Sequence, residues 1–338
     1  MDKPRYPDFY FSFFMFTADL QPDDAGYTTR ILDHMRALLE MEYDGFDLPI
    51  APTPTTDHAA EVASYERLHD RIAQAGLRPF KVATNVGTTR TFDPTSLYKE
   101  QRDAALAYLK SRVDITKVLG GSMLAGPIIF PYGVFPVTDF NAPIWSDALQ
   151  DWLASRYRLA QPVLEELAGY AEYKGIKLAI EPVDHWETPA PNIVADVLGF
   201  LAGVSSRQLG LCVDSAHVVL GSDGPAEFVS GIESAVNTKR LHYVHISAPD
   251  RGSIHDSWIP WSAFLEPILP HFNGPFLLEV FNTVPVFLNS LRLTRRKFWI
   301  PGEDPPQSGP CAYAVARNAL ATARREFDKL TACQPLNA

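Results

Sequence analysis

Short apolar runs alternate with longer segments of helical spacing along most of the chain. The runs KLAI, LGLCV, LHYV and FLL, at 177–180, 209–213, 241–244 and 276–278, have the continuous apolar character of strands buried in a parallel sheet. Between such runs, apolar residues recur every three or four positions, as in 192–202, and this spacing predicts amphipathic helices. The pattern therefore predicts an α/β fold in which strands and helices alternate.

Applied to the whole chain, the pattern predicts eight pairs of strand and helix. One such pair in an eight-fold barrel takes about 31 residues, and the later apolar runs recur at close to that interval. We therefore predict a single (β/α)8 TIM barrel, with one domain over 1–338, the barrel in 9–282, and a proline-rich extension with a closing helix in 283–338. The predicted strands lie within 9–17, 43–50, 78–87, 120–133, 177–187, 209–217, 241–251 and 274–282. The predicted helices lie within 23–41, 55–75, 93–119, 145–173, 192–202, 224–236, 261–272 and 312–327.

Four of the predicted strands end in a candidate metal ligand: Glu181, Asp214, His245 and Glu279, separated by 33, 31 and 34 residues. In a closed barrel the carboxyl ends of all strands meet on one face, so these side chains should converge. An oxygen-rich set with one imidazole suits Mn²⁺, Mg²⁺ or Co²⁺ better than metals that prefer thiolates. Taken alone, an acidic strand end such as that at Glu181 fits a strand that leads into a solvated loop equally well.

Four short motifs begin at these positions. They read E-P-x-x-x-x-E from Glu181, D-x-x-H from Asp214, H-x-x-x-x-x-R from His245 and E-x-F from Glu279. Together they resemble the xylose-isomerase-like TIM-barrel superfamily, and within it the ketose 3-epimerases that act on D-tagatose and D-psicose. The similarity covers roughly the whole barrel, while the specific motifs lie in its second half.

The resemblance implies a role for each of these residues. The four strand-end residues would bind the divalent metal, Mn²⁺ before Mg²⁺ or Co²⁺. Glu181 and Glu279 would in addition remove and return a proton beside the sugar carbonyl, through an enediolate. Glu187, His217 and Arg251 would hold the substrate hydroxyls and the developing oxyanion. The implied function is that of a metal-dependent sugar isomerase or epimerase, namely ketose C3 epimerisation.

Two features depart from the pattern of these epimerases. Asp184 and His185 stand where the family usually has Asn-Arg or a similar pair. We predict that His185 is a third general base, with the orientation of a metal ligand as its alternative role. The loop that follows residue 253 carries Trp258 and Trp261, which either stack on an aglycone or larger sugar or pack the loop itself.

Three alternative functions remain open, and the first two use the same residues. The α subunit of C-glycoside deglycosidases also resembles this pattern, and it is a lyase that abstracts the same kind of proton and then eliminates the aglycone from a 3-oxo-glycoside. His185 and the aromatic loop favour that lyase, whereas the intact pair of Glu181 and Glu279 favours epimerisation. A hydroxypyruvate or inosose isomerase or dehydratase would use the same site. A non-catalytic structural subunit is the alternative of another class, and metal analysis would discriminate it.

Composition limits the partners. The 338 residues are 46% hydrophobic and 21% charged, as in ordinary soluble globular proteins. A net charge of -10 and a pI near 5.4 argue against nucleic-acid binding. No apolar stretch approaches 18 residues and the start MDKPRYPD lacks signal-peptide architecture, so we expect no membrane span and a cytoplasmic location. We expect a small carbohydrate or glycoside substrate and a homo-oligomer, or a hetero-oligomer with a small partner subunit if the lyase alternative holds.

Three further features have open roles. The 3 cysteines are widely spaced, which argues against a disulfide framework or a zinc ribbon, and we predict that Cys212 fills the barrel interior. Asp47, near the end of the second predicted strand, either reaches the site or serves in a loop or as a cap. The basic run 295–297 either contacts an anion, lies at a subunit interface or forms a solvated turn.

Overall fold

Eight parallel strands close into a barrel in chain order, each hydrogen-bonded to the next and β1 to β8. This is the architecture of the computed structural model of the chain, which describes residues 6–50, 53, 55–136, 146–282 and 298–332. The predicted (β/α)8 barrel is confirmed. The strands are β1 (Phe9–Ser12), β2 (Gly45–Pro49), β3 (Lys81–Asn85), β4 (Met123–Gly126), β5 (Lys177–Ile180), β6 (Leu209–Asp214), β7 (Leu241–Ser247) and β8 (Phe276–Glu279).

Helices surround the strands and follow the predicted order. Their bounds are α1 (Ala25–Glu40), α2 (His58–Gln74), α3 (Lys99–Val118), α4 (Asp147–Lys174), α5 (Val194–Leu201), α6 (Ser215–Gly221), α7 (Pro225–Asn237), α8 (Trp261–Ile268) and α9 (Ala312–Ala332). None of the helices in the described part of the chain combines the length and the apolarity that crossing a bilayer requires.

Three elements differ from the predicted ones for local reasons. β1 ends at Ser12 because the Ser12 side chain accepts a hydrogen bond from the Phe14 amide and starts a short 3₁₀ helix. The third helix begins at Lys99 rather than near residue 93, since the Asp93 carboxylate accepts from the Thr95 amide and hydroxyl and holds a turn there. The short helix α6 was not predicted, because its 7 residues are too few for a helical pattern.

The alternation of side chains along each strand divides the core into two parts. Outward-facing apolar residues pack against the helices, while the barrel interior holds Tyr10, Ala83, Met123, Ala125, Ala179, Cys212, Tyr243 and Leu277. Cys212 is fully buried there, as predicted. Three of the interior residues are alanines, whose side chains fill little of the barrel interior.

The closing helix α9 packs on the outside of the barrel. The ring of Phe327 meets the ring of Phe9 edge-on at 5.2 Å between centroids. Before α9 begins, the backbone of Phe298 forms two hydrogen bonds with the side chain of Asn282. The basic run 295–297, whose predicted role as an anion contact, a subunit interface or a solvated turn was left open, lies outside the described residues.

Candidate active site

The carboxyl ends of four neighbouring strands bring the predicted metal ligands together. Glu181 directly follows β5, Asp214 ends β6, His245 lies in β7 and Glu279 ends β8. Each offers one ligand atom, and these atoms lie within 4.8 Å of one another. All four side chains are buried. We call these four residues the central cluster. The structure thus brings the set together as expected, while its binding of a metal stays a prediction.

The donor set of the central cluster fits a divalent cation. His245 Nδ1 lies 3.0 Å from Glu181 Oε1 and 3.9 Å from Asp214 Oδ2. Its Nε2 is buried and has no hydrogen-bond partner among the described residues. Burying three carboxylates together costs free energy unless nearby cations compensate their negative charge. Burial raises the pKa of the nearby Cys212 thiol, whose sulfur also lies within 4.8 Å of ligand atoms of Glu181 and His245.

Arg251 links the central cluster to its surroundings. Its Nη1 donates to Asp214 Oδ2 at 3.3 Å and to Glu279 Oε2 at 3.2 Å. Its Nη2 lies 2.6 Å from His217 Nε2. The backbone of Arg251 has a φ of 57°, in the left-handed region that a residue with a side chain adopts at a cost of about 1 kcal/mol or more. Such strain in a site is retained where it directs a functional side chain.

A second group of polar side chains lies beside the central cluster. His217 Nδ1 is 3.2 Å from Asp184 Oδ1 and 3.9 Å from Glu187 Oε2. His217 Nε2 lies 3.7 Å from Glu181 Oε1. The amide of His217 also donates to Asp214 Oδ1, which caps α6. The predicted substrate-binding residues therefore border the central cluster, as substrate binding would require: Glu187, His217 and Arg251.

The structure does not bring His185 into the site. Its side chain is exposed, and its ring meets that of Trp186 edge-on at 4.9 Å. The Glu187 amide donates to the Asp184 carbonyl at 2.8 Å, and this tight turn directs Asp184 inward and His185 outward. The predicted role of His185 as a third general base, or as a group that orients a ligand, therefore has no geometric support. Asp184, its buried neighbour, occupies the position inside the site.

The sequence did not predict a role for Ser247, and it left the role of Asp47 open. Ser247 Oγ lies 2.7 and 2.8 Å from the two carboxylate oxygens of Asp214 and accepts from Arg251 Nη1 at 2.9 Å. It is two residues after His245, so strand alternation could have found it. Asp47 is buried inside the barrel, where Tyr243 donates to its Oδ2 at 3.2 Å. It is neither a loop residue nor a cap, and burial raises its pKa to about 6.

The carboxyl groups of the central cluster differ in their affinity for a proton. Burial raises the pKa of Glu279 to about 8, against the opposing charges of Arg251 and His245. Burial also acts on Glu181, but the charge and the hydrogen bond of His245 outweigh it and lower the pKa of that carboxyl. Two carboxyl groups whose pKa values are moved apart in this way are suited to opposite steps of a proton transfer.

Comparisons with known proteins agree with the fold. A family model described as xylose isomerase-like TIM barrel matches residues 35–297. An L-ribulose 3-epimerase from Methylomonas sp. is 28% identical over 201 residues, which are 58% of this chain and 63% of that protein. An L-ribulose 3-epimerase from Mesorhizobium japonicum is 26% identical over 268 residues, or 78% of this chain and 82% of that protein.

A solved structure is more similar still. It is a protein from Anabaena variabilis, provisionally described as a sugar phosphate isomerase/epimerase, with 52% identity, a TM-score of 0.92, and coverage of 96% of this chain and 99% of that one. These three relatives are named as L-ribulose 3-epimerases or described as a sugar phosphate isomerase/epimerase. The names of these relatives give no support to the lyase alternative.

Proposed function

The chain belongs to the xylose isomerase-like TIM-barrel family, and from this premise we propose that it is a divalent-metal-dependent ketose 3-epimerase. The observation that carries the proposal is the central cluster itself: four buried side chains from four strands, with ligand atoms within 4.8 Å of one another. The names of the Methylomonas and Mesorhizobium relatives supply the reaction class. The chain matches 63% of the length of the Methylomonas relative. The activity and the substrate are therefore part of the proposal.

Glu181, Asp214, His245 and Glu279 would hold the metal. Mn²⁺ is our proposed ion, with Mg²⁺ and Co²⁺ as alternatives, because carboxylates and a single imidazole are hard or intermediate donors. The chemistry supplied by such an ion is polarisation of the sugar carbonyl, which acidifies the adjacent C–H. The side chains would supply the proton transfers and orient the sugar.

Glu181 and Glu279 are our proposed acid and base. Inversion at C3 requires that a proton leave from one face of the carbon and return on the other. The two glutamates follow β5 and β8, with β6 and β7 between them, so they can approach a bound carbon from different sides. Glu181 is the more acidic group and is ionised at neutral pH, which suits proton removal. Glu279, on the other side, would deliver a proton taken up from solvent, because the proton that it holds up to about pH 8 in the metal-free protein leaves when a metal binds.

Glu187, His217 and Arg251 would orient the sugar. Arg251 stays charged and offers several donors, and its contacts with Asp214 and Glu279 place those donors at the edge of the central cluster. Glu187 accepts at Oε2 from the amide of Asp184 at 3.1 Å, so its carboxylate is fixed. His217 lies between these two residues and can contact a hydroxyl next to the reacting carbon.

A chromatographic assay tests the proposed function. The protein is stripped with EDTA, reloaded with Mn²⁺, and incubated with D-fructose, D-tagatose and L-ribulose, after which the C3 epimers are separated. We expect epimers with the reloaded protein and none with the stripped protein or with Glu181→Gln. Failure of the reloaded protein on all ketoses would contradict the proposal. Release of an aglycone from a 3-oxo-glucoside in the same assay would favour the lyase alternative.

A further inference from the structure

Exposed large apolar side chains concentrate on one face of the barrel. Of the seven such residues in the described part of the chain, six lie on the loops that follow β3, β4, β5 and β7. They are Leu97, Tyr98, Tyr132, Phe135, Trp186 and Trp258. The seventh, Tyr173, lies at the far end of α4. The loops that follow strands surround the mouth of the site in this fold, so the exposed rings lie around the entrance to the central cluster.

Two of these rings lie beside a residue already placed at the site. Trp186 directly precedes Glu187, and it is 53% exposed. The backbone amide of Gly133 donates to the carbonyl of Glu187 at 2.7 Å. This hydrogen bond joins the loops after β4 and β5, and its two residues are the chain neighbours of Tyr132 and Trp186. Both exposed residues therefore lie on loops that meet at Glu187.

A third ring belongs to the loop that carries Arg251. Trp258 lies seven residues further along that loop and is 91% exposed. Scattered exposed apolar residues are ordinary, but a concentration around one opening marks a binding site. We call Tyr132, Trp186 and Trp258 the aromatic rim. A macromolecule that covered the whole rim would also close the path by which a sugar reaches the buried cluster, so the occupant is a part of the substrate.

We propose that the aromatic rim binds a second ring of the substrate, so that the preferred substrate is a ketose carrying a glycosyl or aryl group on its C4–C6 end. This inference rests on the proposed epimerase function and adds the substrate class. The reacting carbons must lie at the central cluster, which is buried at the strand ends. The opposite end of the same ketose then points to the mouth, where flat aromatic faces provide stacking surfaces for a ring.

The experiment compares two ketoses that differ by one ring. D-Fructose and 6-O-glucosyl-D-fructose have the same C1–C5 arrangement, and kcat/KM for C3 epimerisation is measured for each with the Mn²⁺-loaded protein. We expect the glucosylated ketose to be favoured on the order of fivefold, the effect of one aromatic contact. Trp186→Ala should bring this ratio close to one. The matched control is Tyr173→Ala, an exposed ring outside the rim, which should leave the ratio unchanged.

A second measurement separates this inference from the proposed function. Saturation-transfer NMR on the metal-free protein detects which protons of 6-O-glucosyl-D-fructose touch the protein, whether or not turnover occurs. We expect saturation of the glucosyl ring in the wild type and its loss in Trp186→Ala. A wild-type ratio at or below one, or a glucosyl ring without saturation, would overturn the inference. So would dissociation of an oligomer by Trp186→Ala in light scattering, because the rim would then be a subunit interface.

Discussion

The protonation of Glu279 should make the affinity for a metal depend on pH. Burial raises the pKa of this carboxyl to about 8 in the metal-free protein, so about 0.9 of the molecules carry its proton at pH 7 and about 0.1 at pH 9. A carboxyl group must lose its proton before it binds a metal. Binding of one divalent cation at pH 7 should therefore displace about 0.9 proton from Glu279. Because the metal-free state holds this proton, affinity should fall as pH falls below about 8.

Titration calorimetry with Mn²⁺ measures this displacement directly. The heat is recorded in buffers of different ionisation enthalpy, and the slope gives the protons released per ion. The number of protons released per ion by Glu279→Gln is subtracted from the number released by the wild type. Protons from His245 and other groups are common to both proteins and cancel in this difference. Glu172→Gln, an exposed glutamate on α4, is the matched control and should release as many protons as the wild type. A difference below about 0.3 proton at pH 7, or one that does not shrink by pH 9, would refute the reasoning.

Three further variants test other parts of the account. Ser247→Ala removes two contacts, to Asp214 and to Arg251, and kcat/KM should fall about 10- to 100-fold, as for other groups that orient metal ligands; an unchanged value would remove Ser247 from the site. His185→Ala should stay within about twofold of the wild type in kcat/KM, because exposed side chains away from a site have small effects; a loss of 100-fold would restore its predicted catalytic role. Arg112→Ala should lower the free energy of unfolding in urea by about 3 kcal/mol, because it removes the arginine partner of the buried Glu61 carboxylate and leaves it only the Thr53 hydroxyl and the more distant His58; a loss below about 1 kcal/mol would contradict the buried pair.

The fold and the central cluster could be predicted because both follow from regular geometry. A barrel of eight strands requires one strand and one helix per repeat, so polar residues that recur at this interval fall on the same face. Asp214 and His245, one repeat apart, are indeed paired in register between β6 and β7. The position of Cys212 inside the barrel was predictable for the same reason, since alternation along β6 places it on the inner face with Asp214.

Side-chain direction in the loops could not be predicted, because no period applies there. His185 follows the end of β5 and a proline, and a tight turn at Asp184 decides which of the two neighbours faces inward. The left-handed backbone of Arg251 is also set by its loop. The end of β1 depended on a local contact instead, the hydrogen bond from the Phe14 amide to the side chain of Ser12.

The central claim is that the protein exchanges a proton at C3 of a ketose, and deuterium incorporation tests it most directly. The Mn²⁺-loaded protein is incubated in D₂O with a ketose, and C3 is followed by NMR. The account predicts that deuterium enters at C3 while the C3 epimer forms, with loss of both in Glu181→Gln and Glu279→Gln. Stoichiometric Mn²⁺ on the protein without any exchange at C3 of a ketose would contradict it.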